Sequence, residues 1–93
     1  MNGWYMVETT KPTPIQVADE MIAIFCSNHG GLEYAMPIIR QQFQRAGIDF
    51  YNPTKEKLAK VIDYLIEAGK LSAEPEVLNE EKRIFIKLVR SLD

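Results

Sequence analysis

One cysteine, one histidine and no excess of basic side chains are the first limits on this chain of 93 residues. A lone Cys26 rules out an intramolecular disulfide, and with it the small secreted scaffolds held together by such bridges. One cysteine and one histidine fall short of the four ligands that a structural zinc site takes. Cys26 and His29 are three apart, but a metal there would need carboxylates or a second subunit, so no metal site is expected. Cys26 also sits in an apolar helical stripe, and burial keeps thiols inert. No phosphate-binding loop is present, because Gly30-Gly31 lacks the following Lys-Ser/Thr. The acids Glu74, Glu76, Glu80 and Glu81 read as a solvated acidic turn. The expectation is a chain that is not an enzyme, with no catalytic residue, no cofactor and no small-molecule substrate.

Long apolar runs are missing too. No stretch approaches the ~20 residues that a membrane helix needs. Met1 to Pro14 shows no basic segment followed by an apolar one, so it does not read as a secretory signal. The expected location is the cytoplasm, with no membrane partner. The 11 basic and 13 acidic side chains give a net charge of −2. A domain held mainly by DNA phosphates usually carries a basic excess. Local patches matter more than the sum, so nucleic acid is made less expected without being ruled out.

Apolar residues make up 46% of the chain, enough to build a core as a single domain spanning 1–93. Residues 1–13 read as a leader, with Trp4, Tyr5, Met6 and Val7 suited to a strand or to packing on the body. Residues 14–93 form the core. Ile15, Ala18, Ile22 and Phe25 recur at helical spacing, with Met21 and Cys26 beside them. They predict a first helix over Pro14–Asn28, stopped by Gly30 and Gly31. The segment 32–46 is either a short strand up to Met36 and then a helix from Pro37, or one continuous helix. Ile38, Ile39, Gln42, Phe43 and Ala46 form its buried face either way. Thr54 is a plain N-cap for a third helix ending at Gly69, with Leu58, Val61, Ile62, Leu65 and Ile66 as its stripe.

The C-terminal part is ambiguous. As a hairpin, Leu71 to Leu78 pairs with Arg83 to Leu92 across the polar turn Asn79-Glu80-Glu81. As a fourth helix, Asn79 is the cap and Ile84, Phe85, Leu88, Val89 and Leu92 form one stripe. We favour the hairpin for the β-branched and aromatic content of Ile84-Phe85-Ile86, although Pro75 would have to lie on a sheet edge.

That order of elements resembles the winged-helix superfamily over roughly Ile15 to Val89. The most suggestive stretch is TKEKLAKVIDYLIEAGKL, from Thr54 to Leu71, which is similar to a recognition helix running into a first wing strand. The fold class so implied is mainly α, becoming α+β if the wing is present: a winged-helix-like three-helix core with a C-terminal β-hairpin or fourth helix. The resemblance implies a helix-turn-helix module that binds double-stranded DNA and regulates transcription. The start of the recognition helix would reach base edges and the wing would reach phosphates. The nucleic-acid-binding candidates are then Asn52, Thr54, Lys55, Lys57 and Lys60, with Lys82 and Arg83 (and beyond them Lys87 and Arg90) from the C-terminal element. Tyr34, Phe50 and Tyr51 could stack on bases, though packing is the simpler role. Two features pull the other way: acids alternate with bases along the third helix, and its connector is long for a tight helix-turn-helix. The alternative is a protein-interaction or dimerisation module without nucleic-acid binding, a homodimer forming through the terminal segments.

Overall fold

The computed structural model describes residues 11–92. The leader run Trp4–Val7 lies outside the described residues. Four helices follow one another: α1 (Pro14–Asn28), α2 (Leu32–Arg45), α3 (Lys55–Gly69) and α4 (Pro75–Arg90). No strand occurs among the described residues.

Helix α1 has the expected bounds, and its start is better built than its prolines alone suggest. Thr13 accepts a hydrogen bond from the Gln16 N–H at 3.2 Å, and the Gln16 side chain accepts from the Thr13 N–H at 2.9 Å. That reciprocal capping box satisfies two donors a helix start otherwise leaves open. The buried face of α1 is Val17, Ala18, Met21, Phe25 and Cys26. Ile15, read as part of the stripe, is instead 46% exposed.

The open question at 32–46 resolves to one continuous helix with Pro37 inside it. Proline has no N–H to donate to the carbonyl four residues earlier. Ala35, Ile39, Gln42 and Phe43 are buried on either side of it, and that packing outweighs the local defect. Helix α3 matches its expected bounds, and Thr54 accepts from the Lys57 N–H at 3.3 Å.

The C-terminal element corrects the favoured reading. The hairpin does not form, and with it the winged-helix resemblance falls, because a winged helix needs a wing. The mainly-α class holds, in its fourth-helix form. That helix also starts earlier than expected, with Glu74 at the cap position and Pro75 in the first turn. Proline suits that place, since its missing N–H has no intrahelical partner there. Glu76 lies in the first turn and Lys87 and Arg90 in the last, each opposite in sign to the local end of the helix dipole. The presumed polar turn Asn79-Glu80-Glu81 is therefore helical throughout.

Helix α4 packs against α1 and α3, and α2 packs against the same two helices. Phe25, Phe43 and Phe85, one each from α1, α2 and α4, are fully buried together with Met21, Ile39, Leu58, Val61 and Leu65. Burying each such side chain stabilises the fold by about 1.5–3 kcal/mol. At the edge of this core Arg45 lies 4.1 Å over the Tyr64 ring and donates to Gln42 Oε1 at 2.8 Å, tying α2 to α3.

Candidate functional site

Helices α3 and α4 are joined by a short connector and run antiparallel, so the start of α3 faces the end of α4. Between them lies a groove of about 370 Å³. Its floor is apolar, from Ala59, Ile62, Ile86 and Val89, and its rim carries Lys55, Lys82 and Arg90 against the single acid Asp63. Lys82 and Asp63 meet across one end at 3.5 Å, with side chains 49% and 76% exposed. A pair so exposed contributes little to stability. Ile86 and Arg90 also line an adjoining hollow with Arg83 and Lys87. The two form one concave strip bearing five cations.

The nominated nucleic-acid residues divide. Lys55 and Lys82 come together in the groove, and Arg83 lies on the adjoining strip. Arg83 also pairs with Glu80 on its own helix, which holds the Glu80 carboxyl below its ordinary range through hydrogen bonding and charge. Thr54 is spent as a helix cap. Lys57 leans over the α2–α3 turn beside Gly47, and Lys60 lies on the exposed outer side of α3. Asn52 is exposed in the connector, its N–H donating to the Asp49 carbonyl at 2.9 Å. Of the aromatics, Phe50 stacks on Phe43 at 5.0 Å, whereas Tyr51 is 91% exposed and Tyr34 is 56% exposed.

The other flank of α4 carries the opposite charge. A groove of about 560 Å³ between α1 and α4 has Ala23, Ile24, Val77 and Ile84 on its walls and Glu76 and Glu80 on its rim.

A second centre was not visible in the sequence. His29, just after α1, has no exposed surface, and Glu81 of α4 is 1% exposed. The His29 ring stacks on Phe25 with centroids 4.1 Å apart. Its Nε2 lies 3.1 Å from both carboxylate oxygens of Glu81, and its Nδ1 lies 2.7 Å from Ser72 Oγ. Asn28 donates to Glu81 as well, at 3.0 Å. Glu81 is thus no part of a solvated acidic turn. No buried side-chain nitrogen or oxygen among the described residues lacks a partner.

Gly69, the last residue of α3, makes room for this ring. A Cβ on Gly69 would lie 2.6 Å from His29 Cε1. Gly69 has no positive φ, so the glycine is required by the close approach and not by backbone conformation.

No cluster of three or more metal-ligating side chains occurs among the described residues. Cys26 is buried, and that burial pushes its thiol up from the ordinary range. Iodoacetamide should therefore leave Cys26 unmodified in the native protein and label it once urea unfolds the chain. Rapid native labelling, read by intact mass, would contradict the packing of α1. No described helix is long and apolar enough to cross a membrane.

Among the described residues the fold is four helices, with two oppositely charged grooves beside α4. Comparison of the chain with protein-family models, curated proteins and solved structures returns no match.

Proposed function

We propose that this chain is a protein-interaction module whose α3/α4 groove takes an acidic amphipathic segment of a partner. The observation that carries the reading is an apolar floor inside a basic rim. Ala59, Ile62, Ile86 and Val89 offer surface that gains from burial, and Lys55, Lys82 and Arg90 favour carboxylates around it. The groove follows α4 from Lys82 to Arg90, a rise of about 12 Å. That suits two or three apolar side chains at i, i+3 or i+4, and i+7 of a docked helix.

DNA is the competing anion, and the five cations of the strip would attract its phosphates. A phosphate backbone gains nothing from the apolar floor, however, and the chain's net charge of −2 opposes a polyanion overall. The first feature favours the peptide; the second acts against any anion, and most against the densely charged duplex.

A display selection of random 16-residue peptides on the immobilised protein tests the choice. The expected winners combine apolar residues at helical spacing with aspartate or glutamate. Lys82→Glu with Arg90→Glu should weaken their binding about tenfold or more, with a stability loss of only about 1 kcal/mol from the reversed charge at the end of α4, both positions being exposed. Enrichment of basic peptides, or equal binding by the double variant, would overturn the reading. Salt-dependent binding of a DNA duplex with no peptide enriched would replace it with nucleic acid. Sedimentation of the protein alone reads the remaining occupant, the acidic rim of a second copy.

A further inference from the structure

Ser72, His29 and Glu81 stand in the order of nucleophile, base and orienting carboxylate. Ser72 is exposed on the α3–α4 connector, while the other two lie buried behind it. The hydroxyl has two acceptors, His29 Nδ1 at 2.7 Å and the Gly69 carbonyl at 3.5 Å. With the hydrogen on the closer contact, to Nδ1, the ring is left to donate from Nε2 to Glu81 at 3.1 Å, and this is the arrangement on which the proposal below rests. Such a chain, with the base held by a third group, is the geometry that activates a hydroxyl. Above Ser72 is a cleft of about 490 Å³, bounded by Asn28, Lys70, Leu71, Glu74 and Val77. The first turn of α4 borders it and carries no side-chain cap. Its open N–H groups, at Glu76 and Val77, are donors suited to a carbonyl oxygen gaining negative charge.

We propose, independently of the groove, that Ser72 is an acyl acceptor that takes its acyl group from an activated donor, a thioester or an aryl ester. Ser72 Oγ attacks the carbonyl carbon, and the hydroxyl proton passes to His29 Nδ1. Glu81 faces the imidazolium so formed. The intermediate collapses, the C–S or C–O bond breaks, and the electron pair departs with the thiolate or phenolate. The leaving anion takes a proton from water if its basicity requires, and His29 keeps the serine proton as an imidazolium paired with Glu81. The products are O-acyl-Ser72 and the free thiol or phenol.

Burial of His29 sets the class of donor. The base is reached only through the Ser72 hydroxyl, so it can accept that proton but cannot deliver it to a leaving group. Alkyl esters and amides, whose leaving groups need protonation, are excluded. The same enclosure keeps the base from activating water, so the acyl-serine accumulates and the reaction stops at one equivalent.

The full chain incubated with p-nitrophenyl acetate, and separately with acetyl-coenzyme A, provides the test. Intact mass and peptide mapping should show one acetyl group on Ser72, with one equivalent of p-nitrophenolate released from the aryl ester. Ser72→Ala should remain folded and take no acetyl group in that peptide. Glu81→Gln, where its thermal melt shows a native fold, should acylate at least ~10-fold more slowly, an effect that a purely structural role for Glu81 would not produce. Acetylation confined to lysines would overturn the proposal. So would Ser72 reacting no faster than Ser91 of the same chain, a comparison that needs no variant to fold.

Discussion

Replacing Glu81 with alanine should cost the fold about 1–3 kcal/mol, the cost of leaving a buried donor without its acceptor. The Glu81 carboxylate accepts from His29 Nε2 in a buried contact and from Asn28 Nδ2 in a part-buried one. Removing it leaves the imidazole N–H without a partner in a site that is otherwise fully satisfied. An unmade buried hydrogen bond costs more than a made one contributes. Urea denaturation followed by far-UV circular dichroism reads the loss. Replacing both partners, His29→Leu with Glu81→Leu, should recover much of it, because two apolar groups need no partners. Ser72, being exposed, can then turn its hydroxyl to water. A single-variant loss below about 1 kcal/mol would mean that the pair holds nothing together.

Gly69→Ala should also destabilise, with a sign opposite to the ordinary rule. In a helix this exchange usually stabilises by about 0.5–1 kcal/mol, since alanine loses less freedom on folding. Here the new methyl group would lie 2.6 Å from His29 Cε1, 3.0 Å from Nε2 and 3.1 Å from Leu78 Cδ2. The ring cannot easily withdraw: Phe25 is stacked on it and hydrogen bonds hold both of its nitrogens. Overpacking of this kind costs about 1–3 kcal/mol. The same denaturation curves would show it, and the loss should shrink in a chain already carrying Glu81→Ala, because the two changes act on one ring. A stabilising Gly69→Ala would show that the ring is not where the contacts place it.

The helices differ in how legible they are, for a physical reason in each case. Helices α1 and α3 announce themselves because an apolar stripe at helical spacing lies between clear start and stop residues. Helix α4 hides because its buried face runs Leu78, Glu81, Phe85 and Val89. A carboxylate stands where the pattern calls for an apolar side chain, and the run beyond it then reads equally well as a strand. The partner that makes Glu81 tolerable there is His29, 52 residues away, and no local spacing can reveal it. The hint was available only as a combination: a lone histidine after a helix, a glycine closing another, and an acid interrupting an apolar stripe. The groove was partly legible. Lys55 and Lys82 were both singled out by charge and position, but only the antiparallel packing of α3 and α4 puts them on one rim. Lys57 and Lys60 looked equivalent to Lys55, yet helical geometry turns them to other faces.

The α3/α4 groove is the proposed working surface of this domain. Amide chemical-shift mapping of the isotope-labelled protein, titrated with the acidic amphipathic peptide that display selects, tests it most directly. The expected result is a set of shifts centred on Lys55, Ala59, Lys82, Ile86 and Arg90, weakening as salt is raised. Shifts gathered instead around Ala23, Ile24, Val77 and Ile84, on the acidic flank of α4, would contradict it.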